Sequence, residues 1–161
     1  MLFYCGCNEC AGERRRIADN GQGGSLKNLL TALFSKFSGS DIWNDVGGRV
    51  YLEQAPEGTE FPYIVFSIAS NAPDWTFTED FEDTIIQFSL FSSSTSGVEI
   101  TTMYADLIAL FDDCSLSITS NTFIYMHRQN LTTMIEELTT TEGTSNVRHW
   151  AVDYNIYIQA T

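Results

Sequence analysis

Apolar residues recur along this chain with two periods, and the switches between them mark its elements. Leu26, Leu29, Leu30, Leu33, Phe34 and Phe37 fall at the i, i+3, i+4, i+7, i+8, i+11 spacing of one helix face. Ser25 is placed to cap that helix and Gly39 to stop it. A period of two follows. Val50 and Leu52 share a face of a short strand after the Gly47-Gly48 turn, and Ile64, Phe66 and Ile68 do so over residues 63–70. Over 84–91, Ile86, Phe88 and Leu90 alternate with Gln87 and Ser89, the pattern of a half-buried strand. The helical period returns with Ile100, Met103, Tyr104, Leu107, Ile108 and Phe111, behind a Ser96-Gly-Val-Glu99 capping box. Asp112-Asp113 opposes the helix dipole and predicts the end of this second helix. The remainder reads as strands over 116–119, 123–127, 131–138 and 147–159, the last with Trp150, Val152, Tyr154, Ile156 and Ile158 facing one way.

Between these elements lie turn-rich stretches. Pro56 and Gly58 punctuate a loop that runs into Phe61-Pro62-Tyr63; Pro62 forces Phe61 to be extended and belongs at a strand start or edge. Phe61 and Tyr63 are expected on opposite sides of that start. Residues 71–83 read as an acidic loop around Trp75, Phe77 and Phe81, and residues 139–146 as a polar loop. Two helices with single apolar faces need one sheet face to pack against. The expected fold is therefore α+β: an antiparallel β-sheet with two amphipathic helices packed on one face, plus an extended N-terminal arm. The arm spans residues 1–24, its end Gly21-Gln-Gly-Gly24 reading as a flexible joint, and a single domain spans 25–161.

Charge changes the picture of partners. The chain of 161 residues carries 21 acids against 8 bases, a net charge of −13. Residues 1–25 are neutral, with Glu9, Glu13 and Asp19 against Arg14, Arg15 and Arg16, so the whole excess sits on the domain. Such a surface repels nucleic acid, because affinity for phosphates comes from Lys and Arg. It remains compatible with bordering a passage through which DNA slides without adhering. No run approaches the roughly 20 apolar residues of a membrane helix. The first residues carry neither the basic nor the long apolar segment of a secretory leader, and the cysteines leave the redox compartment open, with a reducing cytosol favoured.

Candidate chemistry is sparse. There is no Walker-type glycine loop, no Gly-x-Ser-x-Gly and no His-Glu-x-x-His, so no catalytic residues are assigned and no enzyme or cofactor is expected. His149 and Asp153 share a strand face, the weak basis for a small-enzyme reading. Cys5, Cys7 and Cys10 have spacing that suits zinc, but a closed site wants a fourth ligand; free thiols on an arm are the expectation, and a small metal-binding module the alternative. Arg14, Arg15 and Arg16 would meet an acidic face of a like subunit, or simply solvent. Trp75 and Phe77 on their acid-rich stretch either anchor an interface or fold back as a lid on the sheet.

One run of motifs has a family likeness. The leading helix, Arg49-Val-Tyr51, Pro56-x-Gly58, Phe61-Pro62-Tyr63-Ile64-Val65, the strand, the capped helix and the closing Val147-Arg-His-Trp-Ala-Val-Asp-Tyr154 resemble the tail completion or tail terminator proteins of long-tailed bacteriophages. The likeness covers residues 26–161 and leaves the Cys-rich arm as a departure. It implies a structural virion protein at the tail–neck junction, assembled in the host cytoplasm. Such a protein forms a ring, typically a hexamer, that caps the tail tube, ends its growth and meets neck or head-completion proteins. DNA would pass the lumen without specific binding, and no membrane is involved. The family offers no residue-level functional motif. Glu136, Glu137 and Glu142, in the Thr/Glu-rich stretch 134–146, are candidates for a segment reaching the lumen or a neighbouring ring. A head-completion or tail-tube protein of the same particle is the alternative within this class.

Overall fold

The computed structural model describes residues 22–140 and 143–160. Its elements run α1 (Gln22–Phe37), α2 (Asp41–Asp45), β1 (Val50–Leu52), β2 (Tyr63–Trp75), β3 (Asp80–Ser92), α3 (Val98–Phe111), β4 (Asn121–Thr140) and β5 (Gly143–Ala160). The five strands form one sheet in the order β1-β2-β3-β5-β4. All pairings are antiparallel except β1 with β2, which run parallel with Val50 opposite Ile64. The expected α+β architecture is what the chain adopts.

The period-two apolar positions all turn to the helix side of the sheet. Ile64 and Phe66 of β2, Ile86, Phe88 and Leu90 of β3, and Val152, Tyr154, Ile156 and Ile158 of β5 are buried there. They meet Leu29, Leu33 and Phe37 of α1 and Ile100, Met103, Leu107 and Phe111 of α3, the inward stripes of the two amphipathic helices. The centre is aromatic: Phe88 stacks on Phe111 at 4.9 Å between ring centroids, and Phe37 meets Phe111 edge-on at 5.1 Å. Each such buried side chain contributes on the order of 2–3 kcal/mol of transfer free energy.

Several local expectations give way to tertiary context. α1 begins at Gln22, so Ser25 is not its cap: it lies in the first turn, is buried, and accepts a hydrogen bond from Asn121 Nδ2. Gly24 is likewise helical rather than part of a joint. A short helix, α2, capped by Ser40 and burying Ile42, was not signalled by periodicity, because five residues are too few to show a stripe. Gly48, at φ +75, carries no side chain where a Cβ would stand 3.1 Å from the Trp43 ring. The capping box does not form: Gly97 is the N-cap of α3 with no side-chain cap bond, and Glu99 accepts from the Ser92 hydroxyl instead. Residues 116–119 form no strand; Leu116 and Ile118 are buried, but the segment has no partner strand and is held by Asn28 Nδ2 donating to the Thr119 carbonyl. The Phe61–Pro62 bond is cis, and the rings of Phe61 and Tyr63 lie together at 5.2 Å rather than on opposite sides.

Two expected loops are instead strands. β2 runs to Trp75 and β3 starts at Asp80, leaving only residues 76–79 as a turn. β4 runs to Thr140 and β5 starts at Gly143, and the segments 123–127 and 131–138 merge into β4 across bulges near Ile124 and Gln129. Polar composition suggests loops, but strands that run past the core need only cross-strand backbone bonds and tolerate polar side chains.

Candidate interaction surfaces

The turns of the two hairpins lie at opposite ends of the sheet, and the β4–β5 hairpin runs on beyond it. β3 follows β5 only as far as Ser92 opposite Arg148, whereas β4 and β5 pair on from Glu136 opposite Val147 to Thr140 opposite Gly143. That extension is a free-standing ribbon. Met134 and Ile135 at its root and Leu138 along it are 38%, 63% and 44% exposed. Alternation puts Glu136 with Leu138 on one face of the ribbon and Glu137 with Ile135 on the other. Glu142 lies outside the described residues.

At the opposite end, the β2–β3 turn is closed by Thr76 N–H donating to the Glu79 carbonyl at 2.9 Å and by Glu79 N–H donating to Thr76 Oγ1 at 3.1 Å. Trp75 is 64% exposed and Phe77 fully exposed, so neither folds back as a lid. Phe81 does pack, stacking on Tyr157 at 5.3 Å, and Tyr157 in turn donates to Asp74. That hydrogen bond raises the Tyr157 pKa to about 12.

The helix-free face of the sheet carries two aromatic tracks and a polar centre. Phe61, Tyr63, Phe91 and His149 follow one another at 5.2, 4.8 and 4.3 Å, and Phe81, Tyr157, Tyr125 and His127 at 5.3, 5.4 and 4.8 Å. Between them Gln87 donates to Asp153 at 2.8 Å and Asn155 to Asp83. His149 and Asp153 therefore share this face as expected but do not meet: His149 Nδ1 lies 2.6 Å from Glu136, and Asp153 is held by Gln87.

Two hollows bear on binding. A groove of about 530 Å³ runs between α1 and the β1–β2 edge, lined by Leu26, Leu30, Phe34, Leu52, Phe66 and Ile68 among others. A second, of about 420 Å³, lies at the root of the β4–β5 ribbon, lined by Ser93, Ser94, Thr95, Ile135, Ser145, Asn146 and Arg148. There the Arg148 guanidinium donates to the Ser94 and Thr95 carbonyls at 3.3 and 3.0 Å. Sequence reading missed this pocket because hydroxyls and one arginine on three separate segments make no local motif.

Buried charge is concentrated where α1 meets the sheet. Glu82 is 1% exposed and neither carboxylate oxygen has a hydrogen-bond partner. Burial raises its pKa, an effect partly offset by the nearby polar groups of Ser25 and Asn71, which stay outside hydrogen-bond geometry. Among the described residues no three His, Cys, Asp or Glu side chains converge as metal ligands, and no helix is long and apolar enough to cross a membrane. Cys5, Cys7, Cys10, Arg14, Arg15 and Arg16 lie outside the described residues.

No protein-family model matches the chain, and no curated protein matches it significantly. Solved structures do share its fold. A chain of the virion of the native gene transfer agent (GTA) particle superposes with a TM-score of 0.65 at 11% identity, over 84% of this chain and 98% of that one. The bacteriophage SPP1 gp17 protein aligns at 17% identity over 83% of this chain and 86% of its own, with a TM-score of 0.40, at which it adds nothing to the fold assignment. At such identities the likeness is one of fold.

Proposed function

We infer that this chain is a structural virion component of a tailed, phage-like particle. Its role is to assemble as a ring, of six copies, that caps the tail tube and joins it to the neck. The observation that carries the reading is the layout of the sheet: one packed face, one open face, a β4–β5 ribbon that runs beyond the body at one end and an exposed β2–β3 turn at the other. A small domain that buries one core and projects apolar and acidic side chains both ways along its strands is built to touch neighbours on two sides. The shared fold with a chain of a gene transfer agent virion supports the same direction, and the motif likeness to tail terminators supplies the finer role. The acidic domain, at −13 for the whole chain, suits a passage that DNA crosses without sticking.

In this reading the protein has no catalytic site. Capping needs only one ring face that complements the tube end and an opposite face that lacks the tube's self-propagating surface. Removing the gene from the particle that encodes it is the test. Tubes of uncontrolled length without heads are expected; tails of normal length joined to heads would contradict the role.

A further inference from the structure

The pocket at the ribbon root and the tip of the β2–β3 hairpin are complementary in charge, chemistry and position. Arg148 is one of few bases in a strongly acidic domain, and among the described residues it forms no ion pair and donates to two neutral carbonyls. Arg128, by contrast, is already paired with Asp112 at 3.0 Å. The pocket around Arg148 adds the hydroxyls of Ser93, Ser94 and Ser145 and one apolar wall, Ile135, which is 63% exposed. That combination fits a carboxylate carried next to an apolar side chain.

The hairpin tip offers such a group. Phe77 is fully exposed, and after Thr78 come the acids Glu79 and Asp80, with no side-chain ion pair among the described residues. We propose that the tip of one copy, residues 75–80, docks into the Arg148 pocket of the next copy, with Phe77 against Ile135 and the Glu79 and Asp80 carboxylates on the Arg148 guanidinium and the serine hydroxyls. Pocket and tip stand at opposite ends of β3, Ser92 and Asp80, roughly 40 Å apart along a strand. They are different patches, so the contact is heterologous and propagates from copy to copy, closing into a ring when the rotation allows. The contact rests on the ring reading above and specifies which surfaces make the ring.

Charge reversal tests it on the full chain by sedimentation velocity. Arg148→Glu and the double variant Glu79→Arg, Asp80→Arg each place like charges across the contact and are expected to weaken self-association about tenfold or more. The two mixed together restore an acid–base contact at every junction of an alternating assembly, and the wild-type mass is expected to return. Arg148→Gln keeps donors for the two loop carbonyls and guards against misfolding of the Arg148→Glu chain; the tip variants alter exposed residues only. Wild-type mass in both single-site classes would overturn the contact while leaving a ring intact. A wild-type chain that stays monomeric would overturn contact and ring together. Rescue in the mixture that yields only open chains or pairs would uphold the contact and count against the ring.

Discussion

The Tyr154 hydroxyl, buried at the centre of β5, donates to Asp112 Oδ1 at 2.7 Å at the C-cap of α3. Asp112 is an unfavourable residue for a helix end, since its charge opposes the dipole. The fold answers with two partners: the Tyr154 hydroxyl and the Arg128 guanidinium of β4, 3.0 Å from Asp112 Oδ2. Arg128 in turn donates to the Tyr104 hydroxyl at 2.7 Å. Burial and the Asp112 carboxylate together push the Tyr154 pKa upward, so its proton stays in place through the alkaline range. The network ties α3 to both strands of the outer hairpin.

Tyr154→Phe keeps the ring and removes only the donor, and is expected to cost about 1 kcal/mol; Asp112→Ala, which also strands Arg128, about 2 kcal/mol. Urea unfolding monitored by circular dichroism measures both. Equal, near-zero effects would show that the network contributes nothing net.

Core truncation has a larger expected effect. Phe88 is fully buried and its ring meets those of Phe37, Phe66, Phe111 and Tyr154. Phe88→Ala is expected to cost about 3–5 kcal/mol, a large share of the 5–15 kcal/mol typical of a domain. A melting temperature unchanged by this substitution would contradict the core as described.

Glu82 gives a pH dependence with a definite sign. Its folded pKa is raised above the usual 4.5 by burial, so the folded state holds the proton more tightly than the unfolded chain does. Stability from this group is therefore fully present below 4.5 and lost as pH rises through the raised folded value. Glu82→Gln removes that dependence. Relative to wild type the variant should gain stability between acid and neutral pH, seen as diverging melting-temperature profiles. Parallel profiles would show that Glu82 is not desolvated in the folded state.

The ribbon separates stability from assembly. Ile135→Ser with Leu138→Ser alters side chains outside the buried core, 63% and 44% exposed, so the monomer's stability should stay within about 0.5 kcal/mol, while self-association weakens. A drop in thermal stability with association unchanged would assign these residues to the core instead.

How much of this was legible depended on whether a signal was local. The stripe Leu29, Leu33, Phe37 and the alternation Ile86, Phe88, Leu90 each report a buried face on their own, because burial imposes the period. The capping box at Ser96 failed because its fourth member, Glu99, found a tertiary donor in Ser92. The acidic stretch around Trp75 looked like a loop because strands that extend past the core need no apolar alternation. The pocket around Arg148 was not legible at all: Ser94, Ile135 and Ser145 meet only once β4 and β5 pair and the segment before α3 folds across them.

The most direct test of the central claim is to incubate the purified chain with tail tubes of the particle that encodes it and image them by cryo-electron microscopy. A single ring seated on one end of each tube, with none along its length, is the expected result. Tubes with bare ends, or decorated along their sides, would contradict it.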